Sequence, residues 1–583
     1  MALDIKELAM SNGAIPSDEH ANGAGGDTPT GQHKQCDGDQ HPELHVAVEP
    51  FGPDQATMDA AISALLAHPS VRDALGANEH RLLEFRVEHR EDPCADQRTG
   101  AAKAMAGCAP GHFAALVYDY AANQVLDIRG PLYALDAASP GPVELRMLGH
   151  QPLPSGDEFA AAVDIVMHDR ELRERLRSGE IALYRPMPPV INRPLPDGRV
   201  ERTLAVGLRA TSVEAPFHEI VGVSMFDRRV LRGEIDGVVH PSARVCEPPP
   251  GRDPGVPQGG LSGQCWVTVT GGGRTLWRFL ATRPGASSGT NGSGIELRYV
   301  DYLGKRVLYH AHVPILNVEY GADGQAIGCG PTYRDWQNSE TRFEANGVAV
   351  APGFLLCPQP ARTIIDNNTD EGNFAGVAIY VDGPEVVLVS EMQAGWYRYI
   401  TEWRLHANGT IRPRFGFAGT QNPCTCDVHT HHVYWRLDFD IRTPGHNIVE
   451  EFNDPPIVGN NNWHTKQFEI RRVRDPLHHR KWRVRNILSG EAYTIVPGPH
   501  DGVPTAYGVG DLFVLRYHGG EIDDGQGFTN DPALSRAHID KFMTPPESVV
   551  DTDVVIWYAG HYVHDAGVEV GNRVGPDLVP SGW

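Results

Sequence analysis

No stretch of this chain approaches the roughly 18 consecutive apolar residues of a membrane-spanning helix, so a helical membrane span is not expected. The opening segment, MALDIKELAMSNGAIPSDEH, has no basic patch leading into an apolar run, so it is not a recognisable secretory signal. The expectation is a soluble protein of the cytoplasm. Positive charge is also scarce: 51 Lys and Arg stand against 74 Asp and Glu, a net charge of −23 with histidine neutral. That balance argues against nucleic acid or an anionic membrane as the main partner, and it favours cationic small molecules by long-range attraction. Cysteine is sparse and odd in number, nine in all, so at least one thiol stays free or pairs outside the chain if the others pair. Cys424 and Cys426 read as loop cysteines.

What is present is length, turn residues and short alternating runs. At 583 residues the chain is long enough for three or four domains. Residues 1–43 are rich in Gly, Asp, His and Asn and bury too little to order themselves, which predicts a flexible tail. Residues 44–140 read as a small α+β unit, with Asp54 as helix cap and Met58, Ile62, Leu65 and Leu66 at helical spacing. A second small α+β unit follows over 141–245, opening on the amphipathic EFAAAVDIVMHDRELRERLRSGEI. The Pro/Gly-rich stretch 246–264 is a connector without periodicity. From 265 to 583 the chain breaks into runs such as CWVTVT, IELRYVDYL, VYWRLDFDI and DVVIWYAG, punctuated by Gly, Pro, Asn and Asp. The fold class predicted is mainly β: a large antiparallel β-sandwich preceded by two small helix-on-sheet domains.

Chemistry concentrates between Val387 and Asp440. A long run rich in aromatic and β-branched residues leads to Asn408-Gly409, where both residues are expected to supply the positive φ of a tight hairpin turn. His429-Thr430-His431 then opens the strand HTHHVYWRLDFD. Residues i and i+2 of a strand project from one face, so His429 and His431 can converge on one ion of copper, zinc, iron or nickel. With 27 histidines in the chain, about one such pair arises by chance, and His310-Ala311-His312 is read as that one.

Tyr397 within GWYRYITEW, the Asn-Gly hairpin, HTHHVYWRLDFD and NIVEEFND follow one another in an order that resembles the catalytic domain of the copper-containing, topaquinone-dependent amine oxidases. RKWRVRN (480–486), YTIVPG (493–498), DTDVVIWYAGHYVHD (551–565) and, upstream, RVLYHAHVPILNVEYG (306–321) extend the resemblance over most of residues 45–583. The two small units resemble the helix-on-sheet domains that precede that family's catalytic domain. The resemblance implies a homodimer that oxidises a primary amine with O2 and water to aldehyde, ammonia and hydrogen peroxide. It implies copper on His429, His431 and a third histidine, either His564 or His561. Asp553 stands to His564 as the family's aspartate stands to its third ligand. The resemblance further implies a calcium-type site at Asp438, the Phe439 backbone, Asp440 and Asp553, whose carboxylates suit a hard cation. It assigns Tyr397 as topaquinone precursor, Tyr320 as a hydrogen-bond donor beside it, and Cys329 with Cys357 as a disulfide.

Two departures stand out. The family builds its quinone from tyrosine within Thr-x-x-Asn-Tyr-Asp/Glu, whereas here Gln393-Ala394-Gly395-Trp396-Tyr397-Arg398 keeps only the tyrosine. The family segment that carries the general base, Phe-Asp-x-Gly-Glu-Tyr-Gly, has no counterpart between Tyr320-Gly321 and IGCGPTYRD; a rival register sets Leu316 at the base position. Asp323 and Asp335 are the nearest acids for that role, and each reads as a surface turn carboxylate. A catalytically silent metal-binding scaffold is the alternative, and a zinc hydrolase on the same histidines is a third possibility.

Overall fold

The computed structural model describes residues 42–88, 111–136, 138–148, 151–187, 189–212, 217–232, 248–252, 255–320, 332–426, 428–564 and 568–583. The tail over 1–41, Asp323 and Cys329 lie outside them.

Two large sheets dominate. Among the described residues one has ten strands and the other twelve, and both are almost wholly antiparallel. The ten-stranded sheet contains, side by side, Glu296–Tyr302, Lys305–Tyr320, His429–Phe439 and Val554–His564. The twelve-stranded sheet contains Glu385–Ala394, Tyr397–His406 and Ile411–Gly419. Between the sheets lies the main core, and the two-residue period of each strand decides which side chains enter it. Val433, Trp435, Leu437 and Phe439 of one strand and Ile556, Tyr558 and Tyr562 of its neighbour face inward. Tyr434, Val555, Trp557 and Ala559 face the opposite way, into a smaller core on the outer face of the ten-stranded sheet. In Glu385–Ala394 the same alternation sends Val386, Leu388 and Met392 inward, and Val387 and Val389 into a separate outer cluster. Both faces of the strand His429–Phe439 are buried, so Tyr434 on its outer face is as apolar a position as Val433 and Trp435 on its inner one.

Six tryptophans, Trp277, Trp336, Trp403, Trp435, Trp482 and Trp557, are fully buried. Burial of an indole favours a partner for its N–H; Trp277 donates to the His406 carbonyl at 2.9 Å and Trp403 to that of Ile295 at 3.0 Å. Truncation of such a side chain to alanine costs about 3–5 kcal/mol.

The small units differ from expectation at their edges. Asp54 does cap the helix Gln55–Ala67, accepting from the Thr57 amide at 2.8 Å. Leu44–Phe51, expected in the first small unit, instead pairs antiparallel with Gln264–Gly271 as an outer strand of the large sheet. Its backbone groups pair there from Leu44 opposite Gly271 to Phe51 opposite Gln264. The first small sheet also takes Glu144–Leu148, placing the boundary beyond residue 140, because that strand pairs with Gln124–Pro131. A second small sheet holds Val200–Ala210 and His218–Ser224, under the helix Gly156–His168. Among the described residues no helix is long and apolar enough to cross a membrane.

Candidate metal centre

The run expected to enter the hairpin as one strand is two. Gly395 adopts φ +57° and reverses the chain between Glu385–Ala394 and Tyr397–His406, which pair from Glu385 opposite His406 to Ala394 opposite Tyr397. A Cβ at Gly395 would lie 2.1 Å from Met187 Sδ, so both the turn and the close packing require glycine. At the following turn only Gly409 has positive φ, +93°, and Asn408 does not. The Gly409 amide donates to the His406 carbonyl at 2.9 Å, closing a longer loop than the two-residue turn expected. Gly395 thus places Tyr397 at the start of a strand, with its ring pointing between the sheets.

Opposite it stand three histidines. His429 and His431 occupy the inward parity of their strand, and His564 lies directly across from His429 on the next. One ring nitrogen from each of the three lies within 4.8 Å of the others, and all three residues are buried. His564 Nδ1 and His429 Nε2 are 2.9 Å apart. His431, packed flat on Phe417 at 4.5 Å between ring centres, has no hydrogen bond on either buried nitrogen among the described residues. Burial, reinforced by the neighbouring His429 and His564, holds its basicity well below that of an ordinary imidazole. A neutral imidazole with an unsatisfied lone pair, aimed at two others, is the state in which histidine binds a metal. The donor set therefore fits copper, with nitrogen-only ligands that also suit zinc.

His561 takes no part. It sits three residues before His564, hence on the other face of the strand, where its Nδ1 meets His432 Nδ1 at 2.9 Å and its Nε2 the Gly510 carbonyl at 2.9 Å.

Tyr397 is fully buried, its ring centre 5.0 Å from that of His431 and 5.6 Å from that of His429. Its hydroxyl shares a hydrogen bond with the Tyr320 hydroxyl, which also accepts from Trp396 Nε1 at 3.3 Å. Tyr320 lies across from His429 in the ten-stranded sheet. Arg398, the departure from the family pattern, points away from this gap into a buried ion pair with Asp370, at 2.6 and 2.8 Å. Burial alone would raise the Asp370 carboxyl, but hydrogen bonds and charge from Arg398, then Arg252, outweigh it and bring Asp370 to about 2.

Asp335 corrects the sequence reading most sharply. It is not a surface turn carboxylate but fully buried. Its amide is fixed to the Leu316 carbonyl at 2.9 Å, and the Tyr399 hydroxyl donates to Oδ2. Burial pushes its carboxyl up to about 7, opposed only in part by that hydrogen bond. Tyr399 in turn stacks on Tyr397 at 5.5 Å between ring centres. Tyr399 was missed by sequence reasoning although its position two residues after Tyr397 puts both on one strand face. Asp370 carried no sequence signal.

Asp438, Asp440 and Asp553 bring carboxylate oxygens within 4.8 Å of one another, while the Phe439 side chain is in the main core. Cys357 is a buried free thiol, and Cys329, its expected partner, lies outside the described residues. The Cys357 Sγ lies 4.0 Å from the Leu355 carbonyl, two residues earlier in the chain. Cys424, expected as a loop thiol, is disulfide-bonded.

At the level of sequence no family model and no curated protein matches the chain. Solved structures do match its fold. A copper-containing benzylamine oxidase from Hansenula polymorpha superposes with TM-score 0.60 at 12% identity, covering 92% of this chain and 98% of its own. Pichia pastoris lysyl oxidase gives 0.54 at 12% identity, covering 92% and 91%. An Aspergillus nidulans amine oxidase gives 0.52 at 14% identity, covering 91% and 88%. Over most of its length this chain shares the fold of these amine oxidases.

Proposed function

We propose that this protein is a copper-dependent oxidoreductase acting on a primary amine: RCH2NH2 + O2 + H2O gives RCHO + NH3 + H2O2. The observation that carries the reading is His431, buried without a hydrogen-bond partner on either ring nitrogen among the described residues, between two further imidazoles and facing Tyr397. His429, His431 and His564 would hold the copper. The ion supplies one-electron redox chemistry with oxygen, and Tyr397 is the residue from which topaquinone would form. Tyr320 and Trp396 orient the Tyr397 hydroxyl. Asp335, at about 7, is matched to taking a proton near neutral pH and stands in for the base segment that the sequence lacks. Calcium at Asp438, Asp440 and Asp553, and a homodimeric assembly, belong to the same reading.

A second reading is a silent metal-binding scaffold. Tyr397 favours it, with no exposed surface and a hydroxyl already engaged by Tyr320. Aerobic incubation with copper, followed by phenylhydrazine, separates the two. The oxidase reading expects a visible band that the hydrazine shifts, with added mass on the peptide of Tyr397. Colourless protein with full copper occupancy and unmodified Tyr397 would defeat the quinone reading.

A further inference from the structure

The histidine pair read as a chance repeat is not alone in space. His310 and His312 lie on the strand Lys305–Tyr320, and Glu296 stands beside His312 on the neighbouring strand Glu296–Tyr302. An irregularity in pairing between His312 and Ile315 shifts the register, so that Tyr320 faces the three-histidine centre while His310 and His312 face the opposite side of the sheet. One inserted residue inverts the facing of everything beyond it.

We propose that this outer face of the ten-stranded sheet holds a second metal site, in which Glu296, His310 and His312 bind a divalent first-row transition ion such as zinc. Their donor atoms lie within 4.8 Å of one another, and the residues are 1%, 3% and 0% exposed. The imidazoles stack at 3.9 Å between ring centres. Nε2 of each, though buried, makes no hydrogen bond among the described residues. Two such buried nitrogens are costly without a partner, and a cation supplies one. The supporting contacts are those of a built site. Glu296 Oε1 accepts from the Ser288 amide at 2.6 Å and from the Ser288 hydroxyl, which fixes the carboxylate. Oε2 lies 3.8 Å from His310 Nε2. Ser293 Oγ is 3.1 Å from His312 Nδ1 and orients that ring.

Arg298 is the competitor. Its Nη2 is 3.5 Å from Glu296 Oε2, yet among the described residues neither Nη2 nor Nε makes a hydrogen bond, so the guanidinium is not locked to the carboxylate. The ion replaces it as counter-charge to Glu296. Glu521, 3.4 Å from Arg436, offsets positive charge nearby. Two imidazoles and one carboxylate suit zinc, cobalt, iron or manganese, and an ion held by them ties two strands of the sheet together.

Because the site is closed, the ion enters as the chain folds, and the test supplies zinc or cobalt during expression. With His431→Ala silencing the three-histidine centre, metal analysis expects one retained equivalent, lost on Glu296→Gln or on His310→Asn. Cobalt-loaded protein expects a visible ligand-field band that the same substitutions remove. Anomalous diffraction from the zinc-grown wild-type protein covers the case in which a variant fails to fold, and expects a peak between Glu296, His310 and His312. Absence of that peak, or metal content unchanged by Glu296→Gln in folded protein, overturns the proposal whatever the outcome at the three-histidine centre.

Discussion

The hydroxyl groups of Tyr320 and Tyr397 share a hydrogen bond across the space between the two sheets, one tyrosine contributed by each. The contact ties the strand that follows Gly395 to the strand that lies beside His429. Under the proposed chemistry, Tyr397→Phe abolishes amine turnover and any hydrazine-reactive band while copper content stays full. Tyr320→Phe loses one hydrogen bond, so kcat falls about tenfold. Steady-state peroxide release, with copper measured on the same samples, checks both.

His564 and His561 are three residues apart in one strand and so face opposite sides. His564→Gln is expected to abolish copper binding, and His561→Gln to keep it. Saturating copper at about a thousandfold above Kd stabilises a folded chain by about 4 kcal/mol, so the melting temperature of the second variant rises with copper and that of the first does not. The reverse pattern would overturn the assignment.

If Asp335 accepts the proton, kcat/KM rises with pH through about 7, where its carboxyl ionises. Asp335→Asn keeps an acceptor for the Tyr399 hydroxyl but lowers kcat at least about a hundredfold and flattens that limb of the profile. The sign for stability is opposite. A carboxyl raised from 3.8 to about 7 on folding makes the native state lose stability as pH rises between those values. The asparagine variant therefore shows a shallower fall of stability over that interval in urea titrations.

Asp370 and Arg398 form an ion pair with both partners almost fully enclosed. Asp370→Ala strands a buried guanidinium, at a cost of about 3–5 kcal/mol at pH 7. The Asp370 carboxyl is depressed from 3.8 to about 2, so its contribution is complete above pH 3.8 and is lost as pH falls through about 2. Denaturant melts at pH 7 and near pH 2 should show the gap between variant and parent closing. An equal gap at both values would mean that packing, not charge, is what the alanine removes.

The sequence by itself determined whatever depends on local period. Short β-rich runs between turn residues specified a sandwich, Asp54 specified a helix start, and the spacing of His429 and His431 specified that they share a face. Tertiary structure decided what depends on partners distant in the chain. Asp335 is buried because the strands carrying Leu316 and Tyr399 close over it, and no property of its neighbours in sequence announces that. Arg398 is turned from a charge beside Tyr397 into half of an enclosed pair by Asp370, 28 positions away. One inserted residue after His312 sends two histidine pairs of identical spacing to opposite faces of the same sheet. Strand period is a local property, whereas register and burial are fixed only when remote segments pack, and they determine which polar groups are left facing one another.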